Sequence, residues 1–210
     1  SAFSLEDARD AGRRLLHEGA VRIKPVRATG GRGQLRVDDS DALDQALFAL
    51  DEKELGQYGV VLEAHLERVT TFSVGQVRVG GRLASYYGTQ RLTRDNAGNE
   101  VYGGSDLVVV DGDFEALLAL DLPETTRLAV SQAQVYDEAA SSCYRHFFAS
   151  RRNYDIAQGI DGRGQPRSGV LEQSWRIGGA SSAEIAALEA FRRGSAVRAV
   201  KASSIELYGE

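Results

Sequence analysis

Apolar residues recur with two different periods in the first part of the chain. Leu5, Ala8 and Leu15 follow the spacing of one helix face, so we expect a helix over residues 5–18. Apolar and polar residues alternate over residues 21–26, which predicts a strand. Further elements are predicted as a strand at 34–37, a helix starting at 40 and a strand at 60–62.

Strand patterns dominate the chain from about residue 70. Residues 71–79 and 83–90 alternate on either side of Gly80-Gly81, which is typical of a β-hairpin. A long loop is expected over residues 92–106, and loops of that length are often functional. Arg91 and Arg94 stand at this loop as candidates to orient an acidic substrate or as plain solvated side chains.

The rest of the chain mixes helices with strands. A long helix is expected over residues 123–148, opened by Pro123. Ser181 and Glu184 have the spacing of a capping box, which predicts a last helix. Further strands are predicted at 154–160, 169–173 and 197–207. Helices mixed with largely antiparallel strands predict the α+β class.

Length, charge and cysteine content limit the possible functions. A chain of 210 residues forms one large domain or two lobes. The net charge of −5 argues against a dedicated nucleic-acid-binding protein, because such proteins usually carry a basic excess. The longest apolar runs, such as residues 107–110, are too short to span a membrane. No nucleic-acid or membrane partner is therefore expected, and the oligomeric state stays open.

Cys143 is the one cysteine of the chain and has no partner for an internal disulfide. No basic-plus-apolar signal segment opens the chain, so a cytoplasmic location is expected. The chain holds no methionine and begins with Ser1-Ala2, from which we expect a missing upstream segment.

Lys24 stands on a predicted strand, facing away from Val21 and Ile23, just before a glycine-rich turn. That turn contains Gly30, Gly31 and Gly33. Glycines let backbone N–H groups approach phosphate oxygens, and an ammonium adds positive charge. The pattern is not a P-loop, because no Gly-Lys-Ser/Thr follows the glycines. Phosphate binding and a plain hairpin with a solvated lysine both fit these residues.

Two acidic residues lie on neighbouring predicted strands. A hairpin turn between Arg163 and Gly164 would set Asp155 directly opposite Glu172. Opposed like charges are destabilising unless a cation lies between them, and Mg²⁺ prefers such hard oxygen ligands. The alternative is an exposed hairpin on which each acid pairs with an arginine such as Arg152.

An arginine and a glycine turn follow the second acidic strand. Arg176 precedes Gly178-Gly179 and the predicted last helix. The N-terminus of a helix offers free N–H groups and a positive dipole, which favour a bound anion. A plain strand-to-helix turn with a surface arginine fits the same residues.

Taken in order, these features resemble the ATP-grasp superfamily. The resemblance covers most of the chain, from the helix at 5–18 through IKPVRATGGRG, VVLEAHL, TTFSVGQVRVGGRL, YDIAQGID and GVLEQSWRIGGAS. It implies two α+β lobes, at residues 1–65 and 66–210, with a nucleotide cleft between them. It also implies ATP and Mg²⁺ as cofactors.

The resemblance assigns roles to residues by position. It implies that Lys24 contacts phosphate and that the loop with Gly30, Gly31 and Gly33 closes over the triphosphate. The segment with Glu63, Ala64 and Leu66 would meet the adenine. Thr71 takes the place where many members have an acid for the ribose.

The same resemblance implies a metal site and a catalytic arginine. Asp155 and Glu172 would hold Mg²⁺ together with Ser174, which stands where the commonest pattern has asparagine. Arg176 would steady the transferred phosphate, so Arg176 and Lys24 are the expected catalytic residues.

The implied activity is that of an ATP-dependent ligase. Such an enzyme activates a small carboxylate as an acyl phosphate, which an amine or another nucleophile attacks. A nucleotide-binding module without ligase activity is the alternative, because Thr71 and Ser174 depart from the usual pattern. A plain α+β scaffold that binds no nucleotide is the third hypothesis.

Overall fold

A computed structural model describes residues 1–25, 33–194 and 196–209. The helices are α1 (Leu5–Leu16), α2 (Ser40–Phe48), α3 (Glu52–Tyr58), α4 (Phe114–Leu118), α5 (Glu124–Cys143) and α6 (Ser181–Arg193). The strands are β1 (Val21–Pro25), β2 (Leu35–Val37), β3 (Val60–Ala64), β4 (Glu67–Val79), β5 (Arg82–Arg94), β6 (Glu100–Asp111), β7 (Arg151–Ile160), β8 (Pro166–Ser174) and β9 (Ala199–Ile205). This mixture confirms the predicted α+β class. Among the described helices, none is long and apolar enough to cross a membrane.

The strands form two sheets. A three-stranded sheet has the order β2-β1-β3, and a six-stranded sheet has the order β8-β7-β4-β5-β6-β9. The chain divides into two compact units. The first unit comprises Ser1–Val69 and Gln158–Arg167, and the second comprises Thr70–Ala157 and Ser168–Glu210. The first unit therefore extends past residue 65 and includes the tip of a later hairpin.

The core of the first unit lies between the three-stranded sheet and helices α1 and α2. Ser4 caps α1, because its Oγ accepts a hydrogen bond from the N–H of Asp7 at 3.1 Å. Val21 and Ile23 on β1 are fully buried, each contributing about 1.5–3 kcal/mol of apolar burial. Because side chains alternate along a strand, Lys24 points to the other, polar face of this sheet.

The six-stranded sheet of the second unit has a different helix layer on each side. Phe72, Val74 and Ile156 pack with α4 and α5 on the side that we call the α5 face. Tyr86 and Val109 pack with α6 on the opposite side, the α6 face. Successive residues of a strand therefore serve different helix layers, and polar residues at alternate positions share one face.

The prediction of a long loop over residues 92–106 is wrong. β5 continues to Arg94 and β6 begins at Glu100, so only a short turn separates them. The Asp95 carboxylate closes this turn by accepting the N–H groups of Ala97 and Asn99, both at 2.9 Å. The strand ends carry mostly polar, exposed residues, and for that reason they lack the apolar alternation by which strands are recognised.

The predicted end of the long helix and the predicted capping box are also wrong. α5 ends at Cys143 rather than at 148, because the chain turns there and Phe147 packs against Trp175 at 4.6 Å between ring centroids. α6 begins at Ser181, and Ala180 is its N-cap without a side-chain hydrogen bond. Glu184 instead forms a buried ion pair with Arg151, which takes the carboxylate away from the backbone.

Candidate functional site

The polar face of the three-stranded sheet holds Lys24 close to Glu63. Nζ of Lys24 lies 2.5 Å from Oε1 of Glu63, and 19% of the lysine side chain is exposed. The two residues are diagonal neighbours, since Lys24 pairs with Val61 and Arg22 with Glu63 in the β1–β3 register. The structure therefore brings together two predicted site residues and orients the ammonium at the end of β1.

Two arginines and a histidine share the same polar face. Nη2 of Arg22 lies 3.1 Å from Nδ1 of His65, and Nη1 of Arg36 lies 3.4 Å from Nε2. A neutral imidazole accepts at one ring nitrogen only, so both contacts cannot be hydrogen bonds at once. Burial and the charges of Arg22 and Arg36 lower the pKa of His65, against the opposing effect of Glu67 and Asp38. Arg36 pairs with Asp38 at 2.7 Å and Lys24 pairs with Glu63, so this polar face carries a network of opposite charges around His65.

Replacing Arg36 by glutamine should raise the pKa of His65 toward its ordinary value of about 6.5, because one positive charge beside the ring is lost. In the wild type, the pKa of His65 is lower in the folded protein than in the unfolded chain. As the pH falls, the unfolded chain therefore binds a proton first. This histidine then leaves stability unchanged above about pH 6.5 and reduces it as pH falls toward the folded pKa. An NMR titration of the His65 ring protons, assigned with His65→Gln, measures the change.

The matched control is Arg14→Gln on α1, which should leave the His65 titration unchanged. A wild-type pKa of His65 at or above about 6.5 would contradict the placement of Arg22 and Arg36 around this ring. A fall of that pKa in Arg36→Gln would contradict it as well.

Asp155 on β7 is oriented by three hydrogen-bond donors. Its Oδ1 accepts from Ser73 Oγ at 2.8 Å and from Asn153 Nδ2 at 3.0 Å. Its Oδ2 accepts from Gln90 Nε2 at 3.2 Å. All three donors are uncharged, so they fix the orientation of the carboxylate without neutralising it. The α6 face thus presents a half-buried, preorganised negative charge.

The turn between β7 and β8 lies one residue away from its predicted place. The hairpin closes with the N–H of Asp161 bound to the carbonyl of Gln165, which is one residue away from the expected pairing. Ser168 contacts Gln132 on α5, and Gln173 lies 3.5 Å from Tyr136 on α5. Ser168 and Gln173 are five positions apart yet both face α5. In a regular strand, residues an odd number apart lie on opposite faces, so β8 shifts by one residue between them.

The shift places Ser174 on the α6 face. Its Oγ lies 3.5 Å from Nη1 of Arg151, on the side of the sheet that carries Asp155. Val170, two positions before Glu172, packs on the α5 face, so the strand shifts between Val170 and Gln173 and alternation does not fix the face of Glu172. That Asp155 and Glu172 lie opposite each other on one face stays a prediction.

A buried ion pair is connected to Asp155. Arg151 Nε donates to both oxygens of Glu184, at 2.9 and 3.0 Å, and the side chains are 7% and 1% exposed. Burial and the charge of Glu184 raise the pKa of Tyr86, whose hydroxyl donates to Asn153 at 2.9 Å. Arg151 also contacts the Tyr86 hydroxyl, at 3.3 Å. A hydrogen-bonded chain therefore links the ion pair to Asp155.

Arg176 has a fixed backbone and an exposed side chain. Its carbonyl accepts from Nη1 of Arg151 at 2.8 Å, and its own Nη1 donates to the carbonyl of Ile177 at 2.9 Å. The next turn is closed by Ser181, whose Oγ accepts the N–H of Gly178 at 3.1 Å. The buried arginine thus positions the exposed one.

The remaining predicted residues lie in or beside the strands. Gly30 and Gly31 lie outside the described residues, whereas Gly33 has a φ of +76° and open space around its α-carbon. Ala64 ends β3 opposite Val21, Leu66 follows that strand, and Thr71 lies in β4; all three are half-buried. Their nucleotide contacts stay predictions.

Sequence reasoning missed the side chains that orient Asp155. Ser73 and Gln90 come from other strands and carry no motif. A signal did exist on β7, where Asn153 and Asp155 alternate with Tyr154 and Ile156. Within the described ranges, no group of three or more His, Cys, Asp or Glu side chains is placed to hold a metal ion.

Comparison with known proteins identifies a family. The family described as protein of unknown function (DUF3182) matches residues 1–210. No curated protein matches the chain. Among solved structures, the chain is similar to D-alanyl-alanine synthetase A from Vibrio cholerae O1 biovar eltor str. N16961, with 15% identity and a TM-score of 0.44. That similarity covers 83% of this chain and 48% of the synthetase, so this chain spans about half its length. Because the family match extends over the whole chain, the protein belongs to the DUF3182 family.

Proposed function

We propose that this chain is the ATP- and Mg²⁺-binding part of an ATP-grasp ligase that activates a carboxylate as an acyl phosphate. An amine or another nucleophile then attacks that intermediate. The observation that carries the proposal is Asp155, a carboxylate oriented by three uncharged donors on the face that also carries Ser174. The ordered resemblance of the sequence to ATP-grasp proteins supplies the reaction class.

The predicted oxygen donors fit Mg²⁺. Asp155, Glu172 and Ser174 offer two carboxylates and a hydroxyl, the hard ligands that Mg²⁺ takes. Mg²⁺ commonly binds proteins through one or two carboxylates and completes its octahedron with phosphate and water oxygens. A site of two carboxylates therefore suffices for a metal that arrives with a nucleotide.

The polar face of the first unit fits a phosphate chain. Lys24 is held by Glu63 at 2.5 Å, Arg22 adds a guanidinium group to the same face, and Arg36 adds another that pairs with Asp38 at 2.7 Å. An ammonium at the end of a strand before a glycine-rich segment is a suitable contact for phosphate oxygens. The proposal gives Lys24 this contact, and it gives the segment with Glu63, Ala64 and Leu66 the adenine.

When bound, Mg²⁺·ATP supplies the phosphoryl group and neutralises part of its charge. The side chains of this protein act by positioning and by charge. Lys24 would hold phosphate oxygens, and the exposed guanidinium of Arg176 would stabilise negative charge on the transferred group. Ser73, Gln90 and Asn153 would keep Asp155 in its orientation. The proposal assigns no general base.

The test is ADP release from ATP and Mg²⁺ across a panel that pairs small carboxylic acids with amines and other nucleophiles. The proposal expects release that depends on at least one acid. ATP binding in calorimetry without release anywhere in the panel would favour the nucleotide-binding module instead. If the protein binds no ATP, both hypotheses are contradicted. The hypothesis of a plain α+β scaffold without a nucleotide would then remain.

Glu172→Gln should weaken nucleotide binding about ten-fold or more in the presence of Mg²⁺, because a charge-assisted contact is worth about 1.5–3 kcal/mol. Without Mg²⁺ the affinity should stay unchanged. Glu172 is exposed, so the unfolding temperature of the ligand-free protein should change little. Thermal melts with and without Mg²⁺·ATP measure both effects.

Glu100→Gln provides the control, since Glu100 is an exposed acid on β6. It should keep the full ligand-induced rise in melting temperature. The metal assignment fails if Glu172→Gln keeps that rise as well. The effect of Asp155→Asn on metal binding is harder to interpret, because this change also alters the hydrogen bonds from Ser73 and Gln90.

A further inference from the structure

A cavity of about 430 Å³ lies on the α5 face of the second unit. It is on the opposite side of the sheet from Asp155, because Phe72 lines it and the next residue, Ser73, binds Asp155. The volume falls in the range of small-molecule sites, about 300–1,000 Å³. This cavity has no part in the proposed ligase function.

One wall of the cavity is apolar. Phe72 and Tyr87 both belong to the α5-face core and line the cavity, and half-buried Val108 continues this surface. Aromatic rings offer a large apolar area with little conformational freedom to lose on binding. A ligand that fills this cavity therefore has an apolar, preferably flat, body.

The charges of Arg91 and Asp106 in the cavity cancel each other. The Arg91 guanidinium binds both oxygens of Asp106 at 2.5 Å, and Ser203 Oγ donates to Asp106 at the same distance. The bond from Arg91, and then that from Ser203, lower the pKa of Asp106, so the carboxylate stays charged at neutral pH. This pair forms a fixed polar edge without net charge.

Lys201 contributes the uncompensated charge. It lies on β9 opposite Val108 and lines the cavity, and it has no ion pair with any acid among the described residues. A site with one free ammonium and an internally neutral Arg91–Asp106 pair carries a net charge of about +1. Its electrostatic complement is a monoanion.

Thr126 contributes a hydroxyl to the cavity. It lines the cavity and is 5% exposed. Among the described residues no buried side-chain polar atom lacks a hydrogen-bond partner, so this hydroxyl is not an unsatisfied group of the fold. Thr126 also lies in the first turn of α5, a 20-residue helix whose N-terminus has no side-chain cap. The positive end of that helix favours an anion here.

We propose that this cavity binds a small organic monocarboxylate with an aromatic body. The carboxylate would pair with the Lys201 ammonium and accept a hydrogen bond from the Thr126 hydroxyl. The ring would lie against Phe72 and Tyr87. The apolar wall makes such a ligand a better fit than inorganic phosphate, which has no apolar surface to bury.

The probe is 2-naphthoate, titrated into the full chain and followed by its fluorescence and by amide NMR shifts of the second unit. We expect saturable binding that shifts the amides of Thr89, Thr126 and Lys201. The neutral isostere 2-naphthamide and the Lys201→Met variant should each weaken binding about ten-fold or more, because both remove the charge pair. ATP is absent, so failure of the ligase proposal does not affect the result.

Lys53→Met is the matched control, since Lys53 is an exposed lysine on α3 of the first unit. It should leave the affinity for 2-naphthoate unchanged. Thr126→Val should weaken binding several-fold with unchanged stoichiometry. Equal affinity for 2-naphthoate and 2-naphthamide would overturn the proposal. Unaltered binding to Lys201→Met would do so too, as would a lack of saturable binding at millimolar concentration.

Discussion

Replacing Glu184 by glutamine is expected to lower the free energy of unfolding of the second unit by about 3–5 kcal/mol, because a buried guanidinium then lacks its counter-charge. Arg151 and Glu184 are 7% and 1% exposed, so water cannot take over the lost interaction. The expected loss is large against the 5–15 kcal/mol by which typical proteins are stable. Urea unfolding, followed by the shift of its midpoint at constant slope, measures it.

A second variant on the same helix isolates the effect of burial. Glu189 on α6 pairs with Arg192 at 3.0 Å and its side chain is 43% exposed, so Glu189→Gln should change stability little. The double variant Arg151→Met with Glu184→Leu should recover much of the loss, because apolar residues of similar volume often replace a buried pair without cost. A Glu184→Gln protein as stable as Glu189→Gln would contradict the buried pair.

The ion pair also has a functional consequence under the proposed function. Arg151 holds the carbonyl of Arg176 at 2.8 Å and contacts the Tyr86 hydroxyl that orients Asn153. Loss of Glu184 should therefore weaken Mg²⁺-dependent nucleotide binding even under conditions in which the variant is fully folded. Glu184 would act as a positioning residue, since it does not itself face the metal ligands.

The second large effect is expected at Lys24. Lys24→Ala should weaken ATP binding roughly ten- to a hundred-fold, because a charge-assisted contact contributes about 1.5–3 kcal/mol. Removing the ammonium also leaves Glu63 without its partner at 2.5 Å, which adds repulsion toward phosphate. Isothermal titration calorimetry with Mg²⁺·ATP measures the affinity.

Two further variants provide the control and separate these two contributions. Lys53→Ala, an exposed lysine on α3, should keep wild-type affinity. The double variant Lys24→Ala with Glu63→Gln removes the repulsion between Glu63 and phosphate. It should recover only the part of the lost ATP affinity that this repulsion causes. Wild-type ATP affinity in Lys24→Ala would remove this lysine from the site. Full recovery in the double variant would show that Lys24 serves only to neutralise Glu63.

Local patterns determined most of the elements of this protein. The alternation of Val21 and Ile23 with Lys24 placed the lysine on the polar face, because only one face of the strand can be buried. The Gly80-Gly81 turn was also predictable, since both residues have positive φ, of +57° and +80°. Where alternation was weak, as at residues 92–94 and 100–103, the strands were missed because their stability comes from pairing rather than from apolar burial.

Tertiary structure alone decided which polar groups meet. The spacing of Ser181 and Glu184 predicted a capping box. The Glu184 carboxylate instead accepts a hydrogen bond from buried Arg151, which lies 33 positions away in sequence. The one-residue shift in β8 likewise depends on the contacts of Ser168 and Gln173 with α5. Neither could be predicted locally, because burial makes a distant charge partner worth more than a local cap.

The sequence by itself determined the α+β class, the strand positions of Lys24 and Asp155 and the resemblance that suggests a nucleotide. These follow from periodicity and residue order, which are local properties. The donors around Asp155, the guanidinium groups around His65 and the cavity with Lys201 exist only after distant strands pair. Charges and hydrogen bonds act over a few ångströms, so their partners are defined by the fold rather than by distance along the chain.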